Sequence, residues 1–156
     1  MAVKRLFLVI FVLLFLVPSV HAEYEGTLII ESIGLYEPVS FIPLVNRNYD
    51  LTELNFGVAR LDQTSWNDIT WGRTVLVGHT PGAFENLTNV HIGDIILLMT
   101  DKYILEYIVY DITYVEAGAD PRDWFTPTNA PTLLLQTCYG DEYRLMIEAS
   151  LKNYYE

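Results

Sequence analysis

Cys138 is the sole cysteine of the chain and the residue type best suited to covalent chemistry. It closes the stretch Thr132-Leu133-Leu134-Leu135-Gln136-Thr137-Cys138, and Tyr139-Gly140-Asp141-Glu142-Tyr143-Arg144 follows directly. Leucines between threonines read as a buried strand, Gly140-Asp141 as a turn, and Tyr143 to Leu151 as the returning strand. The cysteine then stands at a strand end, where a thiol can meet solvent and substrate. A hairpin would carry the Arg144 guanidinium back towards the sulfur, and a fixed cation favours the nucleophilic thiolate. The competing reading is a buried cysteine behaving as a small hydrophobe. One cysteine and one arginine leave both readings open.

The histidines supply the acid–base side of such chemistry. His79 ends the apolar run Arg73-Thr74-Val75-Leu76-Val77-Gly78 and opens a His-Thr-Pro-Gly turn, a setting suited to an exposed imidazole. His91 precedes the Gly93-Asp94 turn and reads as a surface residue, and His21 lies near the N-terminus. Two histidines and one cysteine form no zinc ligand set at a usual spacing, and the acidic residues follow no regular calcium-loop pattern. Gly82, Gly93 and Gly140 are isolated turn glycines, so no loop cradles phosphate. The serines lack a Gly-x-Ser-x-Gly setting. No cofactor is expected and no metal ligand is assigned, while calcium dependence is left open.

The elements that must position these groups are short and strand-like. Thr27 to Ile30 and Ile33 to Val39 read as two strands around a turn, Arg73 to Gly78 as a buried strand, and Ile95 to Met99 and Tyr103 to Val115 as two more. Residues 46–72 are mixed and polar, with a short helix expected at Leu51 to Leu54. Phe84 to Leu87 reads as one helical turn. Glu116 to Pro131 is an irregular segment with three prolines and the Trp124-Phe125 pair, and a loop of this length is usually functional or disordered. Its aromatic pair could wall an apolar groove or pin the loop to the body of the domain. There is no amphipathic helix, internal repeat or low-complexity tract. Many short strands separated by Gly, Pro, Asn and Asp indicate an all-β barrel or sandwich.

The 156 residues suit one domain with a real core. Residues 1–22 resemble a targeting segment: Lys4 and Arg5, the twelve apolar residues Leu6 to Val17, then Val20-His21-Ala22 like a signal-peptidase site. As helix the apolar run spans roughly 18 Å, short of the ~30 Å of a bilayer core, which favours a cleaved signal peptide over a retained membrane anchor. Either way residues 23–156 form an exported domain, where an unpaired cysteine implies an intermolecular bridge or a reactive thiol. Beyond the leader seven basic residues face twenty acidic ones, a net charge of −13, which argues against nucleic-acid binding or adhesion to anionic lipid through a basic patch.

Three pieces stand in a telling order: a strand ending in Gly78-His79, then Phe84-x-x-Leu87 with Gly93-Asp94, then Thr132-Leu-Leu-Leu-Gln-Thr-Cys138 with Arg144 on the next strand. With the early Ile33-Gly34 and Pro38-Val39, the chain resembles the sortase family of surface cysteine transpeptidases over about residues 27–151. The resemblance implies a closed β-barrel of about eight strands with short helical turns. It implies Cys138 as nucleophile on a sorting signal of Leu-Pro-x-Thr-Gly type, His79 as general acid/base and Arg144 as oxyanion stabiliser. Thr137 is expected to position substrate, and Trp124, Phe125 and Phe84, with Ala83, to form the apolar part of the groove. Implied partners are proteins with a C-terminal sorting signal and an amine acceptor on a wall peptide or pilin lysine, with membrane association if the leader is retained. The turn between Cys138 and Arg144 is shorter than in some relatives, and the Pro-Gly-x-x-Gly-Asn run common upstream of the histidine strand is missing. An exported cysteine protease using the same site with water, and a non-enzymatic β-barrel binding module, are the alternatives.

Overall fold

The computed structural model describes residues 23–45, 48–49, 54, 57–120 and 124–156. The leader with His21 and most of the Leu51 to Leu54 helix expected above lie outside the described residues. The strands are β1 (Tyr24–Ile30), β2 (Leu35–Ile42), β3 (Leu44–Val45), β4 (Asn48–Tyr49), β5 (Val58–Leu61), β6 (Arg73–Gly78), β7 (Ile95–Thr100), β8 (Ile104–Glu116), β9 (Thr132–Tyr139) and β10 (Tyr143–Tyr155). Eight of them close into a barrel in the order β1-β2-β5-β6-β9-β10-β8-β7, and β3 and β4 form a small separate ribbon. The pairs β2–β5 and β6–β9 are parallel and the other barrel pairs antiparallel. Closure through β1–β7 removes the free barrel edges through which a β-protein could otherwise aggregate.

Alternation along each strand sends one set of side chains inward and the other outward. Leu76, Leu133, Leu135, Leu145 and Ile147 fill the interior with Tyr107, Phe84 and Leu87. A second apolar cluster joins Ile42, Leu54, Ala59, Leu61, Val75, Val77, Leu134 and Met146, with half-buried Val115, Trp124 and Phe125 packed against it. β9 is therefore covered on both faces along Thr132 to Leu135. That explains a continuous leucine run where a one-sided strand would alternate.

Two elements differ from the sequence expectation. The second strand starts at Leu35, because Glu31–Ile33 forms a 3₁₀ turn that ends at Gly34 in the left-handed region, φ 67°. Residues 58–61, read as part of a mixed polar segment, form barrel strand β5. Its arginine masks the apolar pattern: Arg60 is held by a bidentate pair with Glu25, both bonds 2.7 Å, and by the faces of Phe41 and Trp66. Among the described residues no helix is long and apolar enough to cross a membrane.

Candidate active site

The site is built on the seam between β6, β9 and β10. In the antiparallel β9–β10 ladder Cys138 and Arg144 are direct Cα partners. Opposed residues share a face, so thiol and guanidinium leave the sheet on the same side. Alternation without a bulge puts Cys138 on the face of Gln136 and Leu134, and Arg144 on that of Met146. This is the outer face, because Leu134 and Met146 belong to the outer apolar cluster. Cys138 is a half-buried free thiol.

On the other side of β9 the parallel register pairs Val77 with Gln136, and β6 ends one residue later at Gly78. His79 follows, exposed, two residues past Val77, as Cys138 lies two residues past Gln136 on β9. The turn after it is tightly drawn: the Phe84 N–H donates to the His79 carbonyl at 3.1 Å, and the Thr80–Pro81 peptide is cis. Gly78 is required by close approach, since a Cβ there would stand 2.8 Å from the Phe84 ring. The β6–β9 and β9–β10 pairings thus bring the three expected catalytic residues to neighbouring strand ends: His79 past β6, Cys138 on β9 and Arg144 on β10.

The electrostatics leave Arg144 to the site. Its Nη1 donates to the Tyr143 carbonyl at 3.0 Å, and no described carboxylate pairs with it. Glu148, further along β10, instead receives Arg73 at 3.1 Å and the Tyr110 hydroxyl. Burial, and then the bond to Glu148, push the Tyr110 phenol up to about 12. Past the cysteine, Tyr139, Gly140, Asp141, Glu142 and Tyr143 line an open depression on the hairpin turn. Among the described residues no three His, Cys, Asp or Glu side chains gather as a metal site.

The remaining sequence candidates are distributed on both faces. Thr137 is 4% exposed and points inward, donating its hydroxyl to the Gly78 carbonyl at 2.8 Å. Phe84, 1% exposed, lies in the interior beneath Gly78, and Ala83 packs against the same core. Trp124 and Phe125 are half-buried against the outer cluster, the face from which Cys138 projects. Their loop is fastened at its far end, where Thr128 donates to the Gly72 carbonyl at 2.9 Å and receives the Gly72 N–H at 2.8 Å. His91 is exposed on a separate turn closed by Asp94. Thr80, next to His79 and in contact with Thr137, is not singled out by sequence reasoning, and no periodicity or motif marks it.

The chain matches the family described as Sortase domain over residues 28–152. Its fold is similar to sortase C-3 from Streptococcus pneumoniae, with TM-score 0.73 and 23% identity over 86% of this chain and 65% of that one. The chain thus spans just under two thirds of that protein's length. It is also similar to sortase C-1 from Actinomyces oris, TM-score 0.70 and 25% identity over 82% of this chain and 73% of that one. A pilus-related sortase C of Group B Streptococcus aligns with TM-score 0.71 and 21% identity over 84% of this chain and 68% of that one. No curated protein matches the sequence.

Proposed function

This chain belongs to the sortase family, and from that premise we propose that it is a cysteine transpeptidase acting on a Leu-Pro-x-Thr-Gly-type sorting signal. The observation that carries the reading is the direct opposition of Cys138 and Arg144 across β9–β10, at the level where β6 delivers His79. In this mechanism the Cys138 thiolate attacks a backbone carbonyl of the signal, forming a C–S bond and a tetrahedral oxyanion. Arg144 stays charged and offers several N–H donors to that oxygen. The C–N bond then breaks as His79 gives its proton to the leaving amine, which leaves a thioacyl enzyme. An incoming amine, deprotonated by His79, attacks the thioester, forms the new amide and releases the thiolate.

Trp124 and Phe125 flank the apolar part of the signal in this reading, while Thr137 and Phe84 support the site from within the wall. The amine is a wall peptide or a pilin lysine, and residues 1–22 direct the domain to the cell surface as a signal peptide or an anchor. The test is mass spectrometry of the protein with a panel of such peptides and an oligoglycine or lysine acceptor. Wild type should form a Cys138 thioacyl adduct and a ligated product. Cys138→Ala should form neither while keeping the barrel, since the substitution is small and at a strand end. His79→Ala and Arg144→Ala should slow acylation about 10²–10⁴-fold and about 10²–10³-fold. Ligated product from Cys138→Ala would overturn the mechanism. Hydrolysed product alone, with acceptor in excess, would make the protein a protease.

A further inference from the structure

Resting on the transpeptidase reading, we propose that Thr80 is a positioning residue: with Thr137 it forms a hydroxyl brace that holds the His79 turn against the Cys138 strand. Thr80 Oγ1 lies 2.7 Å from Thr137 Oγ1 and 3.1 Å from the Phe84 carbonyl oxygen, and Thr137 Oγ1 lies 2.8 Å from the Gly78 carbonyl oxygen. These are three contacts for two hydroxyl protons. Thr137 spends its proton on Gly78, so the short Thr80–Thr137 contact needs the proton of Thr80. The O–H···O optimum near 2.7–2.8 Å favours that acceptor over Phe84. The brace therefore runs Thr80 to Thr137 to Gly78 in single file.

Its position in the chain gives it a role. Thr80 and Gly78 flank His79, and Thr137 precedes Cys138. The paired register of the β6–β9 seam ends at Val77 and Gln136. Beyond that point the hydroxyls join the two segments, with Thr80 and Thr137 57 positions apart in sequence. Thr80 is exposed, so burial of its methyl does not explain the contact. A proton transfer between imidazole and sulfur depends steeply on alignment, and a misplacement of about 1 Å can cost about 10²-fold.

The experiment follows the pH dependence of Cys138 alkylation by iodoacetamide, which needs no sorting signal, together with single-turnover acylation by peptide. It uses the full chain as wild type, His79→Ala, Thr80→Val and Thr80→Ser. Valine keeps the shape and removes the hydroxyl, and serine keeps the hydroxyl. Thr80→Val should move the alkylation profile towards that of His79→Ala and lower the acylation rate constant about tenfold with little change in KM. Thr80→Ser should restore both. Thr80→Ala, free of the branched side chain, should repeat the valine result and serves if Thr80→Val does not fold. A Thr80→Val profile superimposed on wild type overturns the brace, and so does a wild-type profile that His79→Ala leaves unchanged. If no peptide is acylated while the alkylation profiles still separate as expected, the transpeptidase reading falls and the brace stands.

Discussion

Arg144 has one described protein acceptor, the Tyr143 carbonyl, for a guanidinium with five N–H groups. The remaining donors suit a second oxygen that arrives with substrate. In the proposed mechanism planarity counts beside charge, because a fork can hold a tetrahedral oxyanion while a lysine offers only a point charge. Arg144→Ala should lower the rate of thioacyl formation about 10²–10³-fold, and Arg144→Lys should recover part of that loss. Stopped-flow or quenched acylation checks both, and full recovery by lysine would show that charge alone suffices. His91→Ala should leave acylation unchanged, since that imidazole sits on another turn. Thr137 stands behind Cys138: its hydroxyl is buried and bonded to the Gly78 carbonyl, on the face opposite the thiol.

Among the elements, the β6 strand end and the turn after it bear the closest packing. Gly78 faces inward, and an added Cβ would stand 2.8 Å and 2.9 Å from two atoms of the fully buried Phe84 ring. Gly78→Ala should destabilise the fold by about 1–3 kcal/mol through overpacking, read as a lower urea midpoint. An unchanged midpoint would mean that the ring can move aside. The loop between β5 and β6 is held differently. Asp68 accepts the Thr70 N–H at 2.9 Å, the Thr70 hydroxyl at 2.8 Å and the Trp71 N–H at 3.2 Å. These bonds, the Thr70 backbone foremost, hold its carboxyl below the usual range. A depressed carboxylate contributes stability that is present above the unfolded value, about 3.9, and is lost as pH falls through the folded value. Wild type should therefore resist urea better than Asp68→Asn at about pH 7, and the gap should close as pH falls through the lowered value of the folded state. A gap that persists in acid would assign the effect to shape and not to charge.

At the scale of the whole molecule, eight strands close without a free edge, and two apolar clusters share the wall formed by β6, β9 and β10. The inner cluster fills the barrel. The outer one ties the Trp124-Phe125 segment to the face that carries Cys138. Because the same strands bound both clusters, neither should melt without the other. Thermal unfolding followed by far-UV circular dichroism and by tryptophan fluorescence should give coincident transitions. Trp66 reports on the inner cluster and Trp124 on the outer one. A fluorescence change that precedes loss of the strands would show the loop unfolding as a separate unit. The excess of acidic over basic residues bears on solubility and on partners and not on this architecture.

What the sequence by itself determined is whatever depends on neighbours along the chain. Leucines between threonines specify a strand, Gly140-Asp141 a reversal, and that reversal sets Arg144 opposite Cys138. The short-strand pattern indicated an all-β barrel or sandwich, and the resemblance carried by Gly78-His79, Phe84-x-x-Leu87 and the Thr132 to Cys138 stretch with Arg144 implied the closed barrel of the sortase type. What only the tertiary structure decided lies where distant segments meet. The parallel β6–β9 seam joins residues nearly sixty positions apart, and no local period announces such a pairing. β5 becomes a strand because β2 and β6 flank it and because Glu25, 35 residues away, neutralises its arginine. Alternation says that Thr137 and Cys138 face opposite ways, but which way is inside depends on closure of the barrel. For the same reason Phe84 and Trp124, alike in sequence as aromatic candidates, ended on opposite sides of the wall.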